Sequence, residues 1–121
     1  MAVAGRAALL IAKLHKIAER ASERVQRLDD KDALDVLRVL QATETSALAG
    51  TFVQLLHADV AKDVTREALV ALRNLFGDPR AAGSQMAVRA VGALMPADEI
   101  AGSCAALASD LLHAVDADRH S

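Results

Sequence analysis

Apolar residues recur at steps of three and four along almost the whole chain, and they nowhere alternate with polar residues over the length of a strand. Such spacing places apolar side chains on one face of an α-helix, whereas a half-buried strand needs a period of two. The clearest case is the first segment, where Leu10, Leu14, Ile17, Ala21 and Leu28 follow the helical spacing. Alanine and leucine, both strong helix formers, dominate the 121 residues. The sequence therefore predicts an all-α protein.

The chain length fits one domain over residues 1–121, with about six helices. We expect a long N-terminal helix within residues 1–30, stacked antiparallel helical hairpins over 31–116, and a flexible tail over 117–121. The hairpins can form either a right-handed superhelix or a compact helical bundle, and the sequence leaves both open.

Capping residues and helix breakers set the expected helix boundaries. Asp29 and Asp30 end the first helix, and Asp32 can cap the second. The third helix is expected to begin within the polar run 43–46 and to end at His57. The later helices are expected from Asp63 or Thr65 to Gly77, over 84–95, and from Ala97 to about Ala114. Leu94 and Met95 are expected to face inward, and Gly50, Gly92 and Gly102 are expected inside helices where a second helix approaches closely.

Charge is distributed unevenly along the chain. Residues 1–31 carry a net charge of +3 and the remainder a net charge of −5, so we expect the first helix to be attracted to the rest of the domain or to another copy of it. The apolar seam of this helix is narrow enough for a coiled-coil partner face. Homo-oligomerisation through residues 7–28 is therefore an alternative to packing within the domain.

Composition excludes several classes of function. The net charge of −2 gives no general attraction to nucleic acid, so no nucleic acid partner is expected. No apolar stretch is long enough to span a membrane. The single cysteine favours a reducing, intracellular compartment, with the cytoplasm as the expected location and the nucleus or mitochondrion as alternatives. The basic first 18 residues resemble a mitochondrial presequence in composition.

The residues that could support catalysis are few, and we predict no enzyme activity, no cofactor and no metal. Asp110, His113, Asp116 and His120 follow one another at steps of three and four, the spacing of metal ligands on one helix face. We expect them to be a solvated charged tail, because two of them fall in the last six residues. Cys104 lies on the inward stripe of the last helix, which predicts a buried packing role.

A short internal repeat, whose copies we call the echo segments, is the most informative pattern in the chain. Residues 33–40 and 68–75 share five of eight residues at an offset of 35, and residues 87–94 repeat the apolar pattern. Each copy is a helix that cannot bury its apolar face alone. A recurrence at a few tens of residues is typical of stacked helical hairpins.

Residues 52–57, a short polar loop and residues 63–75 resemble the second and third helices of an armadillo repeat, and HEAT repeats are similarly close. The resemblance implies a right-handed superhelix whose third helices line a concave protein-binding surface. It also implies an asparagine that holds an extended partner, and Asn74 occupies that position. Val39 and Ala93 occupy the equivalent positions in the echo segments, and Val70 replaces the usual aromatic residue, so no asparagine ladder is expected.

A looser similarity links the chain to the N-terminal helical domain of transcription elongation factors. It rests on four short segments at similar spacings: 17–18, 25–26, 33–35 and 48–51. That family's glycine, asparagine and tryptophan positions are not reproduced. The similarity implies a helical interaction domain.

These patterns predict a non-catalytic scaffold that binds a protein partner. Arg38, Arg66, Arg73 and Asn74 are expected to contact an acidic or extended segment, because stacked hairpins present the polar faces of their inner helices on one side. The alternatives are a self-associating helical bundle within a larger assembly and an interaction domain of the elongation-factor type.

Overall fold

The computed structural model describes residues 2–20 and 26–119, and this part of the chain contains six α-helices, one 3₁₀ turn and no strand. The helices are α1 (Val3–Arg20), α2 (Gln26–Ala42), α3 (Thr45–His57), α4 (Lys62–Phe76), α5 (Ala82–Val91) and α6 (Ala97–Arg119). The 3₁₀ turn, Gly92–Leu94, follows α5 directly. The predicted all-α class and the number of helices are confirmed.

Helices α1 and α2 form an antiparallel hairpin. Three contacts show that the two helices run in opposite directions. Arg6 Nη1 lies 3.0 Å from the Ala42 carbonyl oxygen, Lys13 Nζ lies 3.2 Å from Asp35 Oδ2, and Lys16 Nζ lies 3.0 Å from Asp32 Oδ2. Residues later in α1 therefore contact residues earlier in α2. The predicted helix boundaries within residues 1–30 are therefore wrong. Helix α1 ends at Arg20 and α2 begins at Gln26, so residues 26–30 belong to α2, and Asp32 lies inside α2 instead of capping it.

The contacts of α1 also account for the uneven charge. Lys13 and Lys16 both reach Asp32, which is 4% exposed, and Lys13 Nζ lies 2.7 Å from Asp32 Oδ1. A second ion pair joins α2 to α5, where Arg89 donates to both carboxylate oxygens of Asp30 at 3.0 and 3.2 Å. The Lys13 and Lys16 contacts agree with the expected attraction of the basic first segment to the acidic remainder, whereas the positive charge of the Arg89–Asp30 pair comes from the remainder.

The helices pack as a compact bundle. Helix α1 packs on α4, α2 on α5 and α3 on α6, while α6 also touches α2, α4 and α5. The largest fully buried side chains come from five helices and are Leu10, Leu14, Ile17, Leu37, Leu48, Phe52, Leu72, Phe76 and Leu111. Burial of such side chains supplies most of the stabilisation of a helical bundle of this size.

The apolar stripe of α1 faces the domain interior. Leu10, Leu14 and Ile17 are all fully buried, so this stripe is not available to a second copy of the chain. The apolar stripe that was expected to mediate association through residues 7–28 is therefore buried within the domain over residues 7–20. Residues 21–25 lie outside the described part of the chain.

The echo segments in α2 and α4 have closely similar burial patterns. Positions one, four, five and eight of each segment are buried, and the arginine at position six is exposed in both. The third segment departs from this pattern, because α5 ends at Val91 and Gly92 takes a φ of 68°. The backbone then leaves the helical path, and the expected inward positions of Leu94 and Met95 are wrong, since both are exposed.

The glycines are placed differently from the prediction. An added Cβ at Gly50 or Gly102 would meet nothing within 4 Å, so close helix packing does not explain either residue. Close approach occurs instead at Gly83, where α5 meets the end of α4. At the C-terminus, α6 continues to Arg119, so residues 117–119 are helical and do not belong to a flexible tail.

Candidate protein-binding surface

Helix α4 presents one exposed face between two grooves. Its spacing places Ala68, Leu72 and Phe76 in the core, and it leaves exposed Arg66, Val70, Arg73 and Asn74. Residues at steps of three and four lie on the same side of a helix, so these four side chains form one ridge, which we call the α4 ridge. Three of the four residues predicted to bind a partner belong to it.

The first groove separates α4 from the C-terminal end of α6 and has a volume of about 180 Å³. Apolar side chains line its floor: Leu56, Leu69, Leu112 and Val115, with Val70 on the ridge. Its charged lining consists of three guanidinium groups, from Arg66, Arg73 and Arg119, and one carboxylate, from Asp116. The groove therefore combines an apolar floor with a basic rim.

The second groove lies on the other side of the ridge, between α4 and α1. It has a volume of about 330 Å³, and it is lined by Ala18, Arg66, Glu67, Val70, Ala71 and Asn74. Apolar atoms form most of its surface, and Asn74 contributes an amide that can both donate and accept hydrogen bonds. Arg66 and Val70 border both grooves, so a ligand on the ridge can use either.

Most polar groups of the ridge have no partner within the part of the chain that the structure describes. The side chains of Arg73 and Asn74 make no hydrogen bond or ion pair there, and neither does the side chain of Arg119 at the edge of the first groove. Arg66 Nη1 lies 3.5 Å from Asp63 Oδ1, but both side chains are largely exposed, and such pairs contribute little. These donors are therefore available to an external acceptor.

Helix α4 is held against α1 at its N-terminal end. The Nε2 atom of His15 lies 2.9 Å from the Val64 carbonyl oxygen, and Nδ1 lies 4.0 Å from Glu67 Oε2. Thr65 and Ala68 in the same stretch are fully buried. The ridge is thus carried by a helix that is packed on the core through its opposite face, which fixes the backbone positions from which the ridge side chains project.

The structure does not place Arg38 on this surface. Arg38 is exposed, but it lies on α2 and lines a groove formed with α5 and the following turn. The predicted set of four residues is therefore divided between two surfaces. Arg119 was not among the predicted binding residues, because residues 117–121 were expected to form a flexible tail. The stripe of Leu107, Leu111 and Val115 continues to Arg119 at the next four-residue step and could have indicated it.

The remaining candidate residues, Asp110, His113, Asp116 and Cys104, all lie on α6. Among residues 2–20 and 26–119, no group of three or more His, Cys, Asp or Glu residues is placed to hold a metal ion, and His120 lies outside these residues. Cys104 is fully buried, as predicted, and burial raises the pKa of its thiol to about 11 despite a hydrogen bond with Ser84.

We expect the Cys104 thiol of the folded protein to react with an aromatic disulfide reagent at least about a hundredfold more slowly than in urea, since reaction requires opening of the core and formation of the thiolate. The rate is followed by the absorbance of the released thiolate at mildly alkaline pH. A variant that combines C104A with V60C is the control, because Val60 is 98% exposed. Equal rates for Cys104 and Cys at position 60 would contradict the buried placement.

No helix of the described chain is both long and apolar enough to cross a membrane. Comparison of the sequence with protein-family models, of the chain with curated proteins and of the fold with solved structures found no match in any of the three.

Proposed function

We propose that this chain is a non-catalytic protein-interaction module whose α4 ridge binds an acidic segment of another protein. The observation that carries the proposal is the arrangement of three guanidinium groups around an apolar floor, with Arg73, Arg119 and the neighbouring Asn74 lacking any partner among the described residues. Arginine is well suited to this role, because its planar group binds carboxylates through two hydrogen bonds.

The size and spacing of the surface favour an extended segment with one apolar anchor. A volume of about 180 Å³ admits one large side chain but not a helix, which is roughly 10–12 Å wide. Arg66 and Arg73 are seven residues apart, which is roughly 10 Å along the helix axis. In a polyproline II conformation, which has three residues per turn and rises about 3.1 Å per residue, carboxylates three residues apart lie on one side of the chain at a similar separation. Leu or Phe between them would reach the groove floor.

The packing order supports the proposed armadillo-like or HEAT-like arrangement. If α2, α3 and α4 are the first, second and third helices of one unit, then α1 is a preceding third helix and α5 and α6 begin the next unit. Equivalent helices of successive units would then be α1 with α4, α2 with α5 and α3 with α6, and each of these pairs is in contact. Third helices would line the binding side, and the ridge with its α1 groove lies on α4 and α1.

The proposal is tested by selecting a random-peptide display library on the purified chain. We expect enriched peptides to carry a large apolar residue between carboxylates. Replacing Arg66, Arg73 and Asn74 together by alanine should weaken the binding of a selected peptide at least about tenfold, because charge-assisted hydrogen bonds are lost from the centre of the site. Fluorescence anisotropy measures the affinity, and circular dichroism should show unchanged helix content.

A double variant, Lys31→Ala with Arg80→Ala, is the charge control, because both residues are exposed cations outside the two grooves. It should bind like the unmodified chain. Arg38→Ala should also leave peptide binding unchanged, because Arg38 lies on the other surface. Failure to enrich any peptide class, or full binding by the triple variant, would contradict the proposed function.

A further inference from the structure

Exposed apolar residues form a continuous run where α5 gives way to α6. Residues 93–97 are all apolar and all exposed, with Leu94 89% and Met95 48% exposed. Isolated exposed apolar residues are ordinary on protein surfaces, but a contiguous group marks a surface that another molecule covers. The run lies apart from the α4 ridge and shares no residue with it.

A groove lies directly beside this run. It separates α2 from α5 and the 3₁₀ turn, has a volume of about 280 Å³, and its apolar lining includes Leu34, Leu37, Val91 and Ile100. Leu94 and Met95 form one wall of the same groove. A projecting apolar group and an apolar recess are therefore neighbours within one patch.

The backbone holds this projection in a defined place. Gly92 takes a φ of 68°, a conformation that other residues rarely adopt, and this ends α5 before Leu94. Pro96 precedes α6, and α5 is anchored on α2 through the Arg89–Asp30 pair. The projection is thus positioned by the fold and does not belong to a long loop.

The geometry points to a two-fold symmetric dimer in which Leu94 of each copy enters the α2–α5 groove of the other. A two-fold interface requires one patch that is complementary to itself, and a projection beside a recess satisfies this requirement. The charged residues around the groove also favour a second copy of the chain as the molecule that covers it. Arg38, on the groove rim, is exposed and unpaired among the described residues, while Asp98 and Glu99, beside Ile100, are exposed acids. A second copy turned by the two-fold would bring opposite charges together at both ends.

Sedimentation equilibrium on the full chain, from micromolar to millimolar concentration, tests the dimer. We expect a monomer–dimer equilibrium, and Leu94→Glu should raise its dissociation constant at least about tenfold, since each dimer loses two buried leucines and gains two buried carboxylates. Val60→Glu is the matched control. Val60 is 98% exposed in the α3–α4 turn, so the same change there should leave the equilibrium unaltered.

Charge reversal tests the two-fold register independently of folding. Arg38→Glu should weaken the dimer, and combining it with D98K and E99K should restore it, because the complementary pairs are rebuilt with opposite signs. A chain that stays monomeric over the whole range, an unchanged equilibrium for Leu94→Glu, an equal effect of Val60→Glu, or failure of the triple reversal to restore association would overturn the inference. Binding of an acidic peptide to the α4 ridge is unaffected by any of these outcomes.

Discussion

Replacing both Lys13 and Lys16 by methionine is expected to lower the free energy of unfolding at neutral pH by about 2–3 kcal/mol. Asp32 is 4% exposed, and these two ammonium groups lie 2.7 and 3.0 Å from its carboxylate oxygens. Without them, the carboxylate is left inside the hairpin with no compensating charge from α1. The expected loss of stability is smaller than for a fully buried ion pair, because both lysine side chains are partly exposed. Urea unfolding followed by circular dichroism measures the change.

The pH dependence of the unfolding free energy provides a second test of the role of Lys13, Lys16 and Asp32. Burial alone would raise the pKa of Asp32, but the hydrogen bonds and charges of Lys13 and Lys16 outweigh it and lower the pKa below the ordinary 3.8. A lowered pKa contributes stability that is fully present above about pH 4 and is lost as the pH falls through the lowered value. We therefore expect the unmodified chain to lose this contribution on acidification, whereas the double variant should not.

The same cluster also makes stability depend on pH in the alkaline range. The hydrogen bond to Asp32, opposed by burial and supported by Asp35, raises the pKa of Lys13 above 10.5. Its contribution is complete below about pH 10.5 and is lost as the pH rises through the raised value. Lys31→Met is the control, because Lys31 is exposed and should leave stability unchanged. A double variant as stable as the unmodified chain from pH 3 to pH 7 would contradict the role of the cluster.

Gly83→Ala is expected to destabilise the chain by about 1–3 kcal/mol, because the added methyl group cannot fit without moving α5 away from α4. A Cβ at this position would lie 2.6 Å from the Leu75 carbonyl oxygen and 2.8 Å from the Phe76 ring. The Phe76 side chain is fully buried and cannot easily turn aside. Thermal and urea unfolding measure the effect.

Gly102→Ala is the same substitution as Gly83→Ala, but it is expected to stabilise the chain. Gly102 lies inside α6, and a Cβ there would meet nothing within 4 Å. Alanine should therefore stabilise the chain by about 0.5–1 kcal/mol through its higher helix propensity. If Gly83→Ala stabilised the chain as much as Gly102→Ala does, the close approach of α4 and α5 would be wrong.

The helix boundaries that sequence predicts well are those set by local chemistry. The third helix was expected to begin within the polar run 43–46 and to end at His57, and α3 spans Thr45–His57. The fourth helix was expected to end at Gly77, and α4 ends at Phe76, shortly before Pro79, which cannot continue a helix. The end of α1 at Arg20 and the start of α2 at Gln26 were not predicted. The apolar spacing continues to Leu28 without a breaker, whereas contacts between residues far apart in sequence, above all those of Asp32, hold α2 against α1.

The candidate surface was predictable in part for the same reason. Helical spacing alone places Arg66, Arg73 and Asn74 on one face of α4, and the structure has them exposed together. Which helices border that face depends on tertiary packing, so the contribution of Arg119 and the separation of Arg38 could not be read from spacing. Leu94 was expected to face inward because it follows Val91 at the three-residue spacing of a helix. The positive φ of Gly92 ends the helix before Leu94, so that spacing no longer places the side chain toward the core.

The central claim, that the α4 ridge binds an acidic segment, is tested most directly by nuclear magnetic resonance on the isotope-labelled chain. The probe is an extended peptide with one leucine between two carboxylates, and the same peptide with lysines in their place is the control. We expect the acidic peptide to shift amide signals of residues 66–74 and 112–119, and the basic peptide to shift none of them. Absence of shifts at saturating acidic peptide, or shifts confined to α2 and α5, would contradict the claim.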